Sequence, residues 1–312
     1  MSLLIAEMSP TSHVVDHVLW SVGGTPVLTT QMVTMVIAGF VTVFLLWIAS
    51  RAIVTGPETE GNARFVTKGK FAQLIEAMVV YLRNEMLLPV MGEHSTRKYL
   101  PYLLSLFFFI LTMNLFGIIP FADMQALLYV FFTGSDNYHH YYFGGTATAN
   151  IAITCGLALI SFVVIQVHGF RELGVKGFLE HMTGGLIDGP IGLWLIVPIV
   201  FAVEIAGLFI KPAALAIRLF ANMVGGHTMM GTLLLFGYMA FSGGLGLLGG
   251  GTITLVSTIF TVMISFLEIF VAFLQAFIFM FLTAVFISLM SHEEHELELE
   301  EAEDAKAAVA GH

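Results

Sequence analysis

PIGLWLIVPIVFAVEIAGLFIKPAALAIRLFANMVGGHTMMGTLLLF, residues 190–236, holds only three charged side chains, Glu204, Lys211 and Arg218, in 47 positions. As one helix it reaches about 70 Å at 1.5 Å per residue, against a bilayer hydrocarbon core of about 30 Å. Such a segment either breaks, with Pro198 and Pro212 as the candidate points, or crosses at a steep tilt. At its centre lies Ile-Arg-Leu-Phe-Ala-Asn-Met, Ile217 to Met223. A guanidinium cannot escape the cost of leaving water by shedding its proton. At mid-membrane depth that cost is roughly 3 kcal/mol on insertion scales. An arginine at a helix end would snorkel to the headgroups instead. Arg218 has apolar sequence on both sides, and reads as a fixed positive charge for a mobile anion.

The rest of the chain agrees with a membrane setting. Of 312 residues, 57% are hydrophobic and 11% charged, with mean hydropathy +0.90. Soluble domains carry about 25% charge, so the expected fold is an all-α polytopic membrane protein. The single cysteine, Cys155, excludes an internal disulfide and a cysteine-based metal site. The net charge of −10 is dominated by eight acids between Glu293 and Asp304. That tail, 296–312, is expected to be solvated and disordered. Met1 to Met8 lack the basic start and long apolar core of a cleavable signal. No basic patch points to nucleic acid.

Apolar runs place spans at about 32–49, 100–119, 148–168, 190–236 and 253–290. Ten of the twelve lysines and arginines fall in the segment after the first span, after the third span, or in the tail. The positive-inside bias then gives five crossings, N-terminus outside and C-terminus in the cytoplasm. Breaking 190–236 into two spans gives six and spoils that charge pattern. Residues 71–86 carry Phe71, Leu74, Ile75, Met78, Val79, Leu82 and Met86 at helical spacing. They predict an amphipathic helix on the cytoplasmic face. The expected organisation is 1–98, an N-terminal span with that helix; 99–295, a channel bundle with a hairpin over 190–290; and the tail.

Glu204, Lys211 and Arg218 are seven apart and share a helix face, with Asn222 close to it. His227 lies half a turn out of phase. The last span contributes Glu268 and Gln275, again seven apart. An antiparallel pairing of Arg218 with Gln275 has its midpoint at 246.5, and His227 with Glu268 at 247.5. Both fall in the glycine-rich run Gly243–Gly251, the expected turn. One fold-back thus gives each buried polar group a partner. A histidine beside a carboxylate suits proton exchange near neutral pH, and also suits a purely structural tie between helices. Asn222 and Gln275 hydrogen-bond water without adding charge.

Other groupings carry less. His292-Glu293-Glu294-His295 lacks the spacing of a zinc helix motif. Asp136, His139 and His140 lie among tyrosines in an external loop. Asp123, just after Pro120, is a candidate for an external aqueous entrance, or a plain loop carboxylate. No metal or cofactor is expected, and no phosphate-binding loop occurs.

At these residues the chain resembles subunit a of the F-type ATP synthase membrane sector. Ile217–Met223 is similar to that family's essential-arginine motif, and Leu274-Gln-Ala-Phe-Ile-Phe-Met280 to its last-helix motif. Asn114-Leu-Phe-Gly-Ile-Ile-Pro120 and the Ser291–His295 ending fit as well. The resemblance covers about 98–295. It implies a stator that holds two aqueous half-channels against a rotating ring of subunit c, with a steeply tilted hairpin of long helices. It also implies a peripheral-stalk partner such as subunit b and protons as the transported ion, sodium being the alternative; a bacterial inner membrane is the expected location, an organellar one staying open. ATP chemistry would lie on other subunits. Arg218 carries over as the essential arginine, and Glu204, Asn222, His227, Glu268 and Gln275 as channel-lining positions. The best-known bacterial members exchange the histidine and glutamate between the two helices; His227 and Glu268 follow the mitochondrial arrangement. Outside this family, a rotor-independent proton channel or secondary transporter, or a membrane metalloenzyme built on His292 and His295, would use the same residue types.

Overall fold

In hydrocarbon, backbone N–H and C=O groups find partners only within their own segment, so an apolar run long enough to cross becomes helix. The computed structural model describes residues 18–23, 25–52, 67, 69–119, 121, 125, 131–132, 145–183, 196–243 and 246–290. Five helical stretches among them are long and apolar enough to span a bilayer: Thr30–Arg51, Lys70–Ile118, Ile151–Glu172, Val197–Ser242 and Leu248–Leu289. The all-α polytopic expectation holds.

In chain order, strands β1 (Val18–Val22) and β2 (Thr25–Thr29) form an antiparallel hairpin. Sequence reading passed over this hairpin, because two five-residue strands before a long apolar helix leave little periodicity to detect. Helix α1 (Thr30–Arg51) follows, with the Thr29 hydroxyl accepting from the Met32 N–H at 3.4 Å as its N-cap. The amphipathic helix exists as α2 (Lys70–Tyr81). It ends sooner than expected, in a π-helical turn over Leu82–Leu87. Helix α3 (Leu88–Ile118) begins well before the predicted span and is kinked at Gly92, whose φ of 71° lies in the left-handed region. The Thr96 hydroxyl donates to the Leu87 carbonyl across that kink. A 3₁₀ turn (Ala147–Ala149), α4 (Ile151–Glu172) and the short α5 (Gly174–Met182) lead to α6 (Val197–Ser242) and α7 (Gly246–Leu289).

Helix α6 settles the choice posed by 190–236. It is continuous for 46 residues with Pro212 inside it, so no break divides it into two spans. A helix about 70 Å long fits a ~30 Å core only by lying steeply or by running out of it. The glycine-rich run corrects another expectation. Only Gly243–Leu245 separate the two long helices, and Gly246–Gly251 are already the first turns of α7. A Cβ on Gly250 would meet the Ala240 carbonyl oxygen at 2.8 Å and Phe241 Cα at 2.9 Å. Glycine at 250 lets the start of α7 close onto the end of α6.

The chain divides into two interleaved units. The first comprises residues up to Glu76, Ser105–Thr154 and Ala216–Ile278; the second Ala77–Leu104, Cys155–Leu215 and everything from Phe279. In the first, Ala149, Met223 and Ala272 form a buried cluster with Ile118 and Val224 packed on it. Phe107 meets Phe273 edge-on at 5.5 Å. In the second, Phe178, Met182 and Met290 pack with Leu173, Phe201 and Leu208, and the Ser288 hydroxyl donates to the Val90 carbonyl.

Candidate functional site

The α6–α7 hairpin sets the register on which the site depends. The Thr254 hydroxyl donates to the Gly237 carbonyl at 2.8 Å. The Ser257 hydroxyl donates to Leu233 O, and the Ser265 hydroxyl reaches Met230 Sδ at 3.3 Å. Each pair is centred near Leu245 to Leu247, where the sequence placed the fold-back. Continuing that register brings Glu268 opposite Gly226 and His227. A Cβ on Gly226 would lie 2.7 Å from Glu268 Oε1. Glycine there is what admits the carboxylate.

His227 Nδ1 stands 2.8 Å from Glu268 Oε1, with the two side chains 11% and 6% exposed. The contact is close but off the N–H axis. Nδ1 is aligned on the Met223 carbonyl at 3.0 Å, and both Glu268 oxygens are buried without an aligned hydrogen bond. Nε2 faces the Gly117 carbonyl at 2.8 Å and Thr146 Oγ1 at 2.9 Å. A neutral imidazole has one N–H and a charged one has two, while carbonyl oxygens only accept. The pocket thus offers acceptors at both ring nitrogens and a carboxylate beside one, a setting in which the ring can gain and lose a proton.

Arg218 and Gln275 behave differently from the histidine pair. They sit level in the hairpin, but Arg218 is exposed and Gln275 is 4% exposed. Arg218 makes no hydrogen bond or ion pair with the described residues, and the Gln275 amide nitrogen is buried without an acceptor. The side chains of Leu219 and Met223 turn inward, at 0% and 1% exposure. That leaves Arg218 on the outer side of α6. Asn222 is half-buried one turn further on. Glu204 is also half-buried on α6, in the second unit. Asp123, Asp136, His139, His140, His292, His295 and the acidic tail lie outside the described residues.

Three residues that sequence reading did not single out belong to the site. Asn114, fully buried, donates from Nδ2 to the Ala272 carbonyl at 3.2 Å. Its Oδ1 has no donor, and Ala272 lies between Glu268 and Gln275 on α7. Thr146 and Gly117 hold the far side of His227, and they fit closely. A Cβ on Gly117 would come within 2.4 Å of Thr146 Cγ2. Asn114 and Gly117 were visible only as parts of the Asn114–Pro120 motif, and nothing in the spacing linked Thr146 to His227.

A second buried histidine, His168, occurs in the other unit. Its Nδ1 pairs with the Tyr99 hydroxyl at 2.7 Å. Glu172, 3.5 Å from that nitrogen, is bridged by Lys98 at 2.5 Å. This network ties the N-terminal part of α3 to the C-terminal end of α4.

The family model described as ATP synthase A chain matches residues 32–288, most of the chain. The chain belongs to that family. The match takes in Arg218, His227, Glu268 and Gln275 together. ATP synthase subunit a of Myxococcus xanthus is 35% identical over 248 residues, 78% of this chain and 70% of that one. The subunit a of Chlorobium phaeobacteroides is 36% identical over 277 residues, 88% of this chain and 68% of its own length. With subunit a of Anaeromyxobacter dehalogenans strain 2CP-1 the identity is 36% over 192 residues, and this chain spans only 44% of that longer protein. Membership places the chain in the proton-translocating membrane sector of ATP synthase, as an integral membrane protein and not a catalytic subunit. The rotor-independent channel and the metalloenzyme gain no support from these relatives.

Proposed function

We propose that this chain is the stator that carries protons through two aqueous half-channels to and from a rotating ring of subunit c. Arg218 is the fixed charge that meets each ionised ring carboxylate. A proton enters one half-channel, neutralises a ring carboxylate and lets it turn into lipid. After nearly a full rotation the carboxyl meets the second half-channel, ionises and passes Arg218. Each elementary charge moved across the membrane is worth about 2.3 kcal/mol per 100 mV.

The observation that carries this reading is the outward placement of Arg218 on α6, without a partner among the described residues, one helix face away from a buried His227–Glu268 pair. A structural arginine in an apolar helix would be expected to hold an acid of its own. Glu204, Asn222, His227, Glu268 and Gln275 line the half-channels. The N-terminus faces outward and the C-terminus the bacterial cytoplasm, as the basic residues after α1 and α4 favour. A peripheral stalk subunit holds the chain against the ring.

The test is ATP-driven proton pumping in inverted vesicles, with the chain isolated alongside a ring of two-helix subunits. Arg218→Ala should leave the complex assembled and abolish pumping. Near-normal coupled pumping by that variant would remove the proposal.

A further inference from the structure

Helix α1 is built inside out. It turns Val36, Phe40, Val43 and Phe44 outward, each more than half exposed, and buries Thr30, Gln31 and Thr34 at 3% or less. Burying a glutamine amide in a spanning helix is costly unless polar groups or water meet it. What α1 packs on is the 3₁₀ turn Ala147–Ala149. It also meets α3, where a Cβ on Gly39 would touch the Phe109 ring at 3.5 Å. Antiparallel packing from that contact, eight residues along each helix, puts Gln31 level with Gly117. Gly117 and Thr146 are the groups that face His227 Nε2. Two residues beyond Thr146, Thr148 is fully buried and its hydroxyl has no hydrogen-bond partner.

We propose that Gln31 and Thr148 form the outer, water-holding approach to His227, so that α1 is one wall of the proton path. Thr148 is a buried hydroxyl in need of a partner, and water bridges such groups with two to four hydrogen bonds. From Gln31 the polar side chains continue through Thr148 and Thr146 to His227 and the Glu268 carboxylate beside it. Water held along this seam delivers protons to the imidazole. Gln31 and Thr148 position that water; neither changes charge.

The proposal rests on the half-channel reading above, and the test separates the two. Single cysteines replace Gln31, Thr148, Asn222 and the lipid-facing Val36 in a Cys155→Ser chain within the assembled synthase. Silver ion, which reacts with thiols that water can ionise, is the probe, read by inhibition of ATP-driven pumping. A water-soluble maleimide read by mass covers any variant that does not pump. Gln31→Cys and Thr148→Cys should be inhibited by more than half or become labelled, and Val36→Cys should not. Reaction at Asn222→Cys with none at 31 or 148 would overturn this inference and leave the half-channels standing. No reaction at any of the four would overturn both. Equal reaction at Val36→Cys would show general access and overturn the specific path. As a second readout, Thr148→Ser should pump like the parent and Thr148→Val several-fold more slowly; equal rates for Val and Ser would count against the hydroxyl's role.

Discussion

Glu268 Oε1 reaches to 2.8 Å from His227 Nδ1 because residue 226 has no side chain, while that nitrogen is aligned on the Met223 carbonyl. The pair is therefore in electrostatic contact without being locked by a directed hydrogen bond. That arrangement suits the proposed acceptance and passing-on of a proton.

Removing one partner strands the other in a buried site, a loss of about 3–5 kcal/mol for a fully ionic pair. His227→Glu alone and Glu268→His alone should each reduce pumping at least tenfold. Exchanging both restores one histidine and one acid at the same contact. The double variant should recover more activity than either single change, with a coupling of about 0.5–3 kcal/mol. Pumping rates at matched expression give the comparison; strictly additive losses would show that the contact carries no coupling.

Gly226→Ala tests the same contact from the backbone. The new Cβ would sit 2.7 Å from Glu268 Oε1 and 3.1 Å from its Cδ. A carboxylate end can shift by a few tenths of an ångström, so assembly should be normal while pumping falls several-fold. Gly226→Val should be worse. Gly225→Ala, with nothing within 4 Å of its Cβ, is the control and should pump like the parent.

The hairpin was legible in the sequence because polar residues are so few in a 57% hydrophobic chain that their spacing carries register. His227 and Glu268 met as their common midpoint required. Arg218 and Gln275 came level without bonding, since a midpoint fixes height along two helices but not the rotation of each side chain about its axis. The glycine run was read as the hairpin turn because glycine favours turns. From Gly246 on it is already helix, and the missing Cβ at Gly250 lets α7 approach α6. The Gly92 kink and the π turn before it leave no periodic signal that separates them from a simple helix end.

The glycine reading has its own test at the tip. At Gly250 an added methyl meets backbone atoms of Ala240 and Phe241, which cannot swing aside. Gly250→Ala should cost about 1–3 kcal/mol through overpacking and lower the amount of chain found in the assembled complex. The neighbouring Gly251→Ala meets nothing within 4 Å, and alanine favours helix over glycine by about 1 kcal/mol. Thermal release of the chain from detergent-solubilised complex should fall for the first and hold or rise for the second. Equal behaviour would mean that the helix ends are not packed as described.

Arg218 gives the last and sharpest contrast, because the cation and its shape can be varied separately. A guanidinium and a carboxylate about 4 Å apart at an effective dielectric near 20 attract by roughly 4 kcal/mol before desolvation offsets part of it. On the proposed function, that favours ionisation of a passing ring carboxyl without trapping it, and the same charge repels a proton moving directly between the two half-channels. Arg218→Ala should therefore raise passive proton leak as well as abolish pumping. Arg218→Lys keeps a nitrogen cation in reach, yet an ammonium loses its proton when buried and lacks the planar fork. It should restore little pumping and only part of the seal. Asn222→Ala removes a neutral hydrogen-bonding group that water can replace, worth about 1 kcal/mol, so pumping should fall roughly fivefold at most and the leak should stay at the parent level. Vesicles loaded with a pH-sensitive dye report both quantities, pumping on adding ATP and leak after an imposed pH step. A tight, fully pumping Arg218→Lys would show that any positive charge suffices and that the permanence of the guanidinium is not what the site uses.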